Sequence, residues 1–238
     1  MTKVNKVEEI NYRLAAIQAL RILKEKLSYS ELSAITNLSP TVLSRYINGH
    51  VIPSLDKARM IMDIFKKEYL IDIVKRRIFQ DEVGAIDTSR IIYDSTLLKG
   101  VVLSEYNKLK GFKVDKILTM ESDGIPVAVH FALILGVNVA VARKTKKIGV
   151  RDFVEIKQVF ESGTYRYIYL PKGSIKKDEY VLVVDDIIRT GATIRALAKL
   201  CRTVKANLSA VFAVISIGDS KEKLREELNC PVESFITL

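Results

Sequence analysis

The apolar positions of this chain change their period about a third of the way along. From Val7 to about Phe79 they recur at helical spacing, with Leu14, Ile17, Leu20 and Leu23 outlining the buried face of a first helix. Ser28 caps a short helix through Ile35, and Asn37-Leu38 makes a turn. Ser39-Pro40 starts the next helix, with Ser as cap and Pro at the first helical position. Asn48-Gly49 ends it. Pro53-Ser54 opens another, with Asp56 in its first turn, and a Lys- and Arg-rich helical stretch runs from Lys66 to Phe79. After Gly84 strands and helices alternate. Strands are expected at Val114–Thr119, Val137–Ala142, Phe153–Phe160, Tyr165–Leu170, Tyr180–Asp185, Leu208–Ser216 and Val232–Thr237. Helices fit Thr96–Leu109, Ile125–Leu135, Ala192–Val204 and Ser220–Leu228, and Ser162-Gly163 reads as a hairpin turn. Apolar strands alternating with helices imply a parallel sheet covered on both faces, hence an α/β fold behind an all-α N-terminal part. The expected division is residues 1–80 and 81–238, with the boundary somewhere between 66 and 90.

Composition narrows the class. In 238 residues, 48% are hydrophobic and 28% charged, as in globular proteins with a sizeable core. The stretch Ile125–Val137, broken by His130, is too short to cross a bilayer, and no leader pattern opens the chain. Cys201 and Cys230 are expected to be reduced thiols, and with only His50 and His130 available no His/Cys zinc site is expected. A cytoplasmic location follows as the expectation. The net charge is +10 and favours polyanionic partners. Residues 1–80 carry fourteen Lys and Arg against eight Asp and Glu, so the excess is densest in the helical part.

The stretch Ser28–Pro53 pairs two short helices through a tight turn, with Leu32 and Ile35 facing inward on the first and Val42, Leu43, Tyr46 and Ile47 on the second. Over residues 12–65 this resembles the helix-turn-helix of phage-repressor and Cro-type DNA-binding domains. The resemblance implies that the second helix enters the major groove of double-stranded DNA. The positions carried over are Ser39, Pro40, Thr41, Ser44 and Arg45, with Ser28 and Tyr29 as phosphate contacts. Among them Arg45 alone has a side chain suited to a bidentate contact with guanine. Two half-sites imply a homodimer.

The sharpest signal is Val181–Thr193, VLVVDDIIRTGAT. A buried strand is expected to end in Asp185 and Asp186, two like charges that need hydroxyl donors or a cation. The turn after it offers hydroxyls, a glycine and free backbone N–H groups at the positive end of a helix, which suits a phosphate. This segment resembles the phosphoribosyl pyrophosphate (PRPP) signature of type I phosphoribosyltransferases. The resemblance implies that Asp185 and Asp186 take the ribose hydroxyls and Thr190, Gly191, Ala192 and Thr193 the 5-phosphate, with Ile187, Ile188 and Arg189 completing the loop. It further implies a pyrophosphate loop at Glu121, Ser122, Asp123 and Gly124, basic partners Arg143 and Lys144, and a mobile hood over Lys144–Arg151 and the hairpin. Mg²⁺ enters through the pyrophosphate oxygens, with no direct protein ligands.

The resemblance spans residues 85–238 and looks most like xanthine phosphoribosyltransferase and the bacterial purine repressor. Joined to a helix-turn-helix, the whole looks like the archaeal GfcR-type regulators. Arg189 stands where guanine-type enzymes of the family carry an Asp that acts on the base, and an arginine cannot accept a proton. The expected function is a PRPP- or nucleotide-sensing transcription regulator, the alternative an active purine phosphoribosyltransferase with an appended DNA-binding domain.

Overall fold

A computed structural model describes residues 6–82, 84–109, 111–159 and 162–238. Helix α1 (Lys6–Lys24) leads into α2 (Tyr29–Thr36) and α3 (Pro40–Ile47). Ser28 and Glu31 form a reciprocal capping box on α2: the Ser28 Oγ accepts from the Glu31 N–H at 3.2 Å, and the Ser28 N–H donates to Glu31 Oε2 at 2.7 Å. The Ser28 N–H, together with the Ser28 hydroxyl that also donates to Glu31 Oε2 at 2.7 Å, holds the Glu31 carboxyl below its usual pKa. Ser39 caps α3, as its sequence predicts.

Two inward assignments are corrected. Leu14 is 40% exposed, whereas Ile17, Leu20 and Leu23 are buried. A strict three-residue spacing drifts backward around a helix that turns about 100° per residue, so Leu14 and Leu23 lie roughly on opposite sides. Tyr12, Ala15, Ala16 and Ala19 complete the real face. Ile35 is likewise exposed. Thr36, four residues after Leu32, takes the inward place and donates its hydroxyl to the Leu32 carbonyl at 2.6 Å.

Helix α4 (Leu55–Phe65) does not stop before the Lys- and Arg-rich stretch. It passes through one wider π-helical turn, Lys66–Leu70, into α5 (Ile71–Arg77), and helical backbone runs unbroken through both junctions. The helix ends at Arg77, earlier than Phe79. Phe79–Gln80 (β1) instead pairs antiparallel with Ile86–Asp87 (β2), a hairpin the pattern did not reveal because two-residue strands carry no period. Short α6 (Ser89–Ile92) and long α7 (Ser95–Leu109) follow.

The α/β part contains β3 (Lys116–Met120), α8 (Gly124–Leu135), β4 (Asn138–Ala142), β5 (Phe153–Val159), β6 (Tyr165–Pro171), β7 (Tyr180–Ile188), α9 (Ala192–Thr203), β8 (Asn207–Ser216), α10 (Ser220–Leu228) and β9 (Val232–Thr237). Phe160, the last residue expected in β5, lies outside the described residues. Five strands form a wholly parallel sheet in the order β4-β3-β7-β8-β9, so β7 is central. Strands β5 and β6 make the expected hairpin, joined to the chain after β4 by the Arg143–Tyr169 bridge. Alternation along β7 sends Leu182 and Val184 to one face and Val181 and Val183 to the other. The first face is covered by α7 and α8, and its core continues into the N-terminal helices through Phe65, Leu20 and Tyr12. The second is covered by α9 and the β5–β6 hairpin. Cys201 and Cys230 are buried free thiols, and burial pushes Cys201 up to about 12. No described helix is long and apolar enough to cross a membrane.

The helical part is fastened to the α/β part by a buried charge. Glu105 on α7 is fully buried and pairs with Lys66 from the π-turn, while Lys108 Nζ lies 2.9 Å from its other oxygen. Burial works against the Lys108 ammonium, but Glu105 and Glu233 outweigh it and hold its pKa above that of an ordinary lysine. Lys66→Met should cost about 3 kcal/mol in urea unfolding, because a carboxylate buried with half its partners costs more than the pair contributes when intact. The double variant Lys66→Met, Glu105→Leu should recover most of that loss. A single variant as stable as the parent would show the pair to be incidental.

Candidate functional site

The C-terminal ends of β3 and β7 open on a cleft of about 460 Å³. Strand β7 runs three residues past Asp185, where its pattern ends it, so Asp185 and Asp186 lie within the strand, 7% and 8% exposed, rather than at its end. Pairing with β8 persists through Ile188, which is what carries the strand on. Burial, and then the neighbouring Asp186 charge, push the Asp185 carboxyl well above the usual carboxylate range. Asp185 Oδ1 also accepts the Asp186 N–H at 3.1 Å, and Asp186 Oδ2 accepts the Thr88 hydroxyl at 2.6 Å.

After β7 the chain turns through Arg189, Thr190 and Gly191 into the N-terminus of α9. Gly191 has φ +79°, and a Cβ there would fall 2.8 Å from the Leu224 side chain. Glycine therefore lets the turn close tightly over α10 and present the first amides of α9 to the cleft. Arg189 Nη2 donates to the Gly84 carbonyl at 2.8 Å across the mouth.

Opposite stands the loop after β3. Gly124 begins α8 with no room for a side chain: a Cβ would lie 2.2 Å from Thr119 Oγ1 and 3.0 Å from Asp185 Oδ1. The loop thus sits directly against the acidic strand end. Asp123 Oδ1 accepts the Tyr93 hydroxyl at 2.8 Å and the Ser122 hydroxyl at 3.1 Å, and the first of these bonds raises the Tyr93 pKa. Glu121 is occupied by Arg143 Nη1 at 2.7 Å and the Lys144 N–H at 2.6 Å.

The cleft lining brings together Glu121, Ser122, Asp123, Lys144 and the whole run from Asp185 to Thr193. Gly124 and Arg143 stand behind it, the first as packing and the second as the Glu121 ion pair. Five participants escaped the sequence reading. Thr88, Tyr93 and the β2 residues reach the site from a segment without periodicity, and Arg166 enters the lining from the β5–β6 hairpin. The run Ala85-Ile86-Asp87-Thr88-Ser89 carries no signal that forecasts contact with residues about a hundred positions away. Among the described residues no group of three or more His, Cys, Asp or Glu is placed to hold a metal ion by itself.

In the N-terminal helical part Ser39, Pro40, Thr41 and Arg45 are exposed on α3 and its cap. Ser44 is half-buried and accepts the Asn48 side-chain amide at 3.2 Å. Ser28 is exposed, while Tyr29 packs its ring inward beneath the Lys24 ammonium, 5.0 Å from the ring centroid. Arg21 Nε donates to the Ile47 carbonyl at 2.8 Å, which fixes the end of α3 on α1.

Comparison with known proteins agrees with both geometries. Residues 97–237 match the model of the phosphoribosyl transferase domain, and residues 17–69 that of a helix-turn-helix. The chain belongs to the phosphoribosyltransferase family. Its N-terminal part is a helix-turn-helix domain of the Cro type. A hypoxanthine/guanine phosphoribosyltransferase of Methanothermococcus okinawensis is 29% identical over 166 residues, 70% of this chain and 88% of that one. A xanthine phosphoribosyltransferase of Bacillus cytotoxicus is 33% identical over 56% of this chain and 70% of its own. The crystal structure of an adenine phosphoribosyltransferase from Thermoanaerobacter pseudethanolicus superposes with a TM-score of 0.63 at 22% identity, covering 71% of this chain and 99% of that chain, and so shares the fold.

The raised pKa of Asp185 in the phosphoribosyltransferase domain gives a signed prediction. The unfolded carboxyl titrates near ~4, so the folded chain holds a proton that the unfolded chain releases. That contribution is complete below about pH 4 and is lost as pH rises through the folded value. Asp185→Asn should therefore melt with the parent at pH 4 and above it at pH 7. An equal offset at both pH values would remove burial as the cause.

Proposed function

We propose that this chain is a DNA-binding transcription regulator whose phosphoribosyltransferase domain senses PRPP or a related ribose phosphate or nucleotide. The observation that carries the proposal is the joining, through one core and one buried ion pair, of an exposed α3 to a cleft that pairs buried acids with helix-start amides. The acids suit the hydroxyls of a ribose, and the amides at the start of α9 suit its phosphate. The pyrophosphate belongs on the amides of Ser122 to Gly124, with Lys144 and Arg166 supplying positive charge. The curated relatives named for purine phosphoribosyl transfer favour a ligand of that chemical class. In this reading residues 1–80 bind DNA, residues 81–238 bind the ligand, and a homodimer presents two copies of α3 to paired half-sites.

The residues present fit Mg²⁺ as a companion of the ligand. Among the described residues the cleft gathers carboxylates but no three-ligand cluster, so an Mg²⁺ ion would be held chiefly through the pyrophosphate oxygens of the ligand. Mg²⁺ so placed neutralises phosphate charge as the ligand enters a cleft lined by acids.

The second reading is an active purine phosphoribosyltransferase carrying a DNA-binding domain, favoured by the completeness of the ribose, phosphate and pyrophosphate groups. Against turnover stands Arg189, a permanent cation held on the Gly84 carbonyl where base chemistry calls for a proton acceptor.

Calorimetric titration with PRPP, with and without Mg²⁺, followed by product analysis with added purine bases, separates the two. Saturable binding with PRPP left intact is expected, and conversion to a nucleotide would establish the enzyme instead. The Asp185→Asn, Asp186→Asn double variant should bind DNA without responding to PRPP, and an unaltered response would displace the ligand site. Arg45→Ala should weaken binding to a selected operator by about 1–3 kcal/mol and relax preference at a single base pair. Undiminished discrimination would place the reading surface elsewhere.

A further inference from the structure

The segment between the helix-turn-helix and the sheet touches three separate parts of the cleft. Gly84 offers its carbonyl to Arg189 at 2.8 Å, Thr88 its hydroxyl to Asp186 at 2.6 Å, and Tyr93 its hydroxyl to Asp123 at 2.8 Å. Each contact falls on a group assigned above to a different portion of the ligand: the loop beside the base, the ribose acid and the pyrophosphate loop. The Thr88 hydroxyl stands toward Asp186 as a ribose hydroxyl would, a neutral O–H donor on a buried carboxylate.

The other side of the same segment is tied to the DNA-binding part. The Thr88 carbonyl accepts from Ile91 and Ile92, starting α6, and both isoleucines are buried. Arg77, the last residue of α5, donates to the Arg90 carbonyl at 3.0 Å and to Asp94 Oδ2 at 2.6 Å. A displacement of Thr88 therefore moves α6, and with it both groups that hold the end of the helix leading back to α4 and the helix-turn-helix.

We infer that residues 84–94 are an internal occupant of the ligand cleft, with Thr88 filling the ribose-hydroxyl position on Asp186, and that ligand entry displaces this segment and moves the end of α5. The inference rests on the ligand reading given above and adds the route by which the ligand reaches DNA. Thr88 is a positioning residue, since it acts on DNA only through α6 and Arg77.

The test uses the full chain, PRPP with Mg²⁺, and a DNA fragment selected by the wild type from random sequence. Thr88→Val keeps the shape and removes the donor. It should bind PRPP roughly tenfold more tightly, since the ligand no longer displaces a bond to a charged group. PRPP should then no longer change its DNA affinity, and Thr88→Ser should restore the response. A Thr88→Val protein that responds to PRPP as the wild type does, or binds it more weakly, overturns the inference and leaves the sensor reading intact. A wild type that binds PRPP with no change in DNA affinity overturns the coupling and the sensor reading together. If Thr88→Val does not fold, amide exchange at Ile91 and Ile92 in the wild type decides. Their exchange should quicken when PRPP binds, and unchanged protection overturns the inference.

Discussion

Two adjacent carboxylates sit within the central strand of the sheet, close to its C-terminal end, and the surrounding architecture answers to that placement. A charge removed from water costs several kcal/mol unless it is neutralised or hydrogen-bonded. Asp185 meets the cost by holding its proton more tightly than a free carboxyl, Asp186 by taking the Thr88 hydroxyl. The loop after β3 can approach only because Gly124 has no side chain to strike Thr119 and Asp185. An apolar pair in these positions would pack the sheet better and present no polar groups to the cleft. The strand end gives up stability for the sake of what it presents to the cleft, a pattern common at binding sites.

The second buried charge does different work. Glu105 is held between Lys66 and Lys108, none of which lines the cleft, and Lys66 Nζ also lies 5.5 Å from the ring centroid of Phe235. One lysine thus reaches from the π-turn to α7 and to the last strand. A wider turn in a helix shifts the face that follows it, so Lys66–Leu70 sets the direction in which α5 leaves toward the hairpin and the cleft wall.

Much of this was legible in the chain itself. The helix-turn-helix could be read because its signals are local: Ser28, Ser39 with Pro40, and Asn48 with Gly49 each mark a helix end within one or two residues. The parallel sheet was legible because strands buried on both faces spell unbroken apolar runs, Val181–Val184 above all. The acid pair and the turn through Thr193 were legible because they are contiguous. What escaped was set at long range or by very short elements. The β1–β2 hairpin is too brief to show a period, and Thr88 meets Asp186 across ninety-eight intervening steps of sequence. Leu14 departs for a different reason: a three-residue recurrence does not keep to one helix face, and from Leu14 to Leu23 the net offset reaches half a turn.

The continuous core has a consequence for how the two modules can be exchanged. Tyr12 of α1 stacks on Tyr106 of α7 with ring centroids 6.2 Å apart, and Gly100 lies so close to the Phe65 ring that an added Cβ would come within 3.1 Å of it. The line along which the sequence divides into two families is therefore not a line along which the molecule divides into two folding units. A chimera that grafted this helix-turn-helix onto another domain would have to carry the inner surface of α7 with it, or offer a substitute with a gap for Phe65 and a ring for Tyr12.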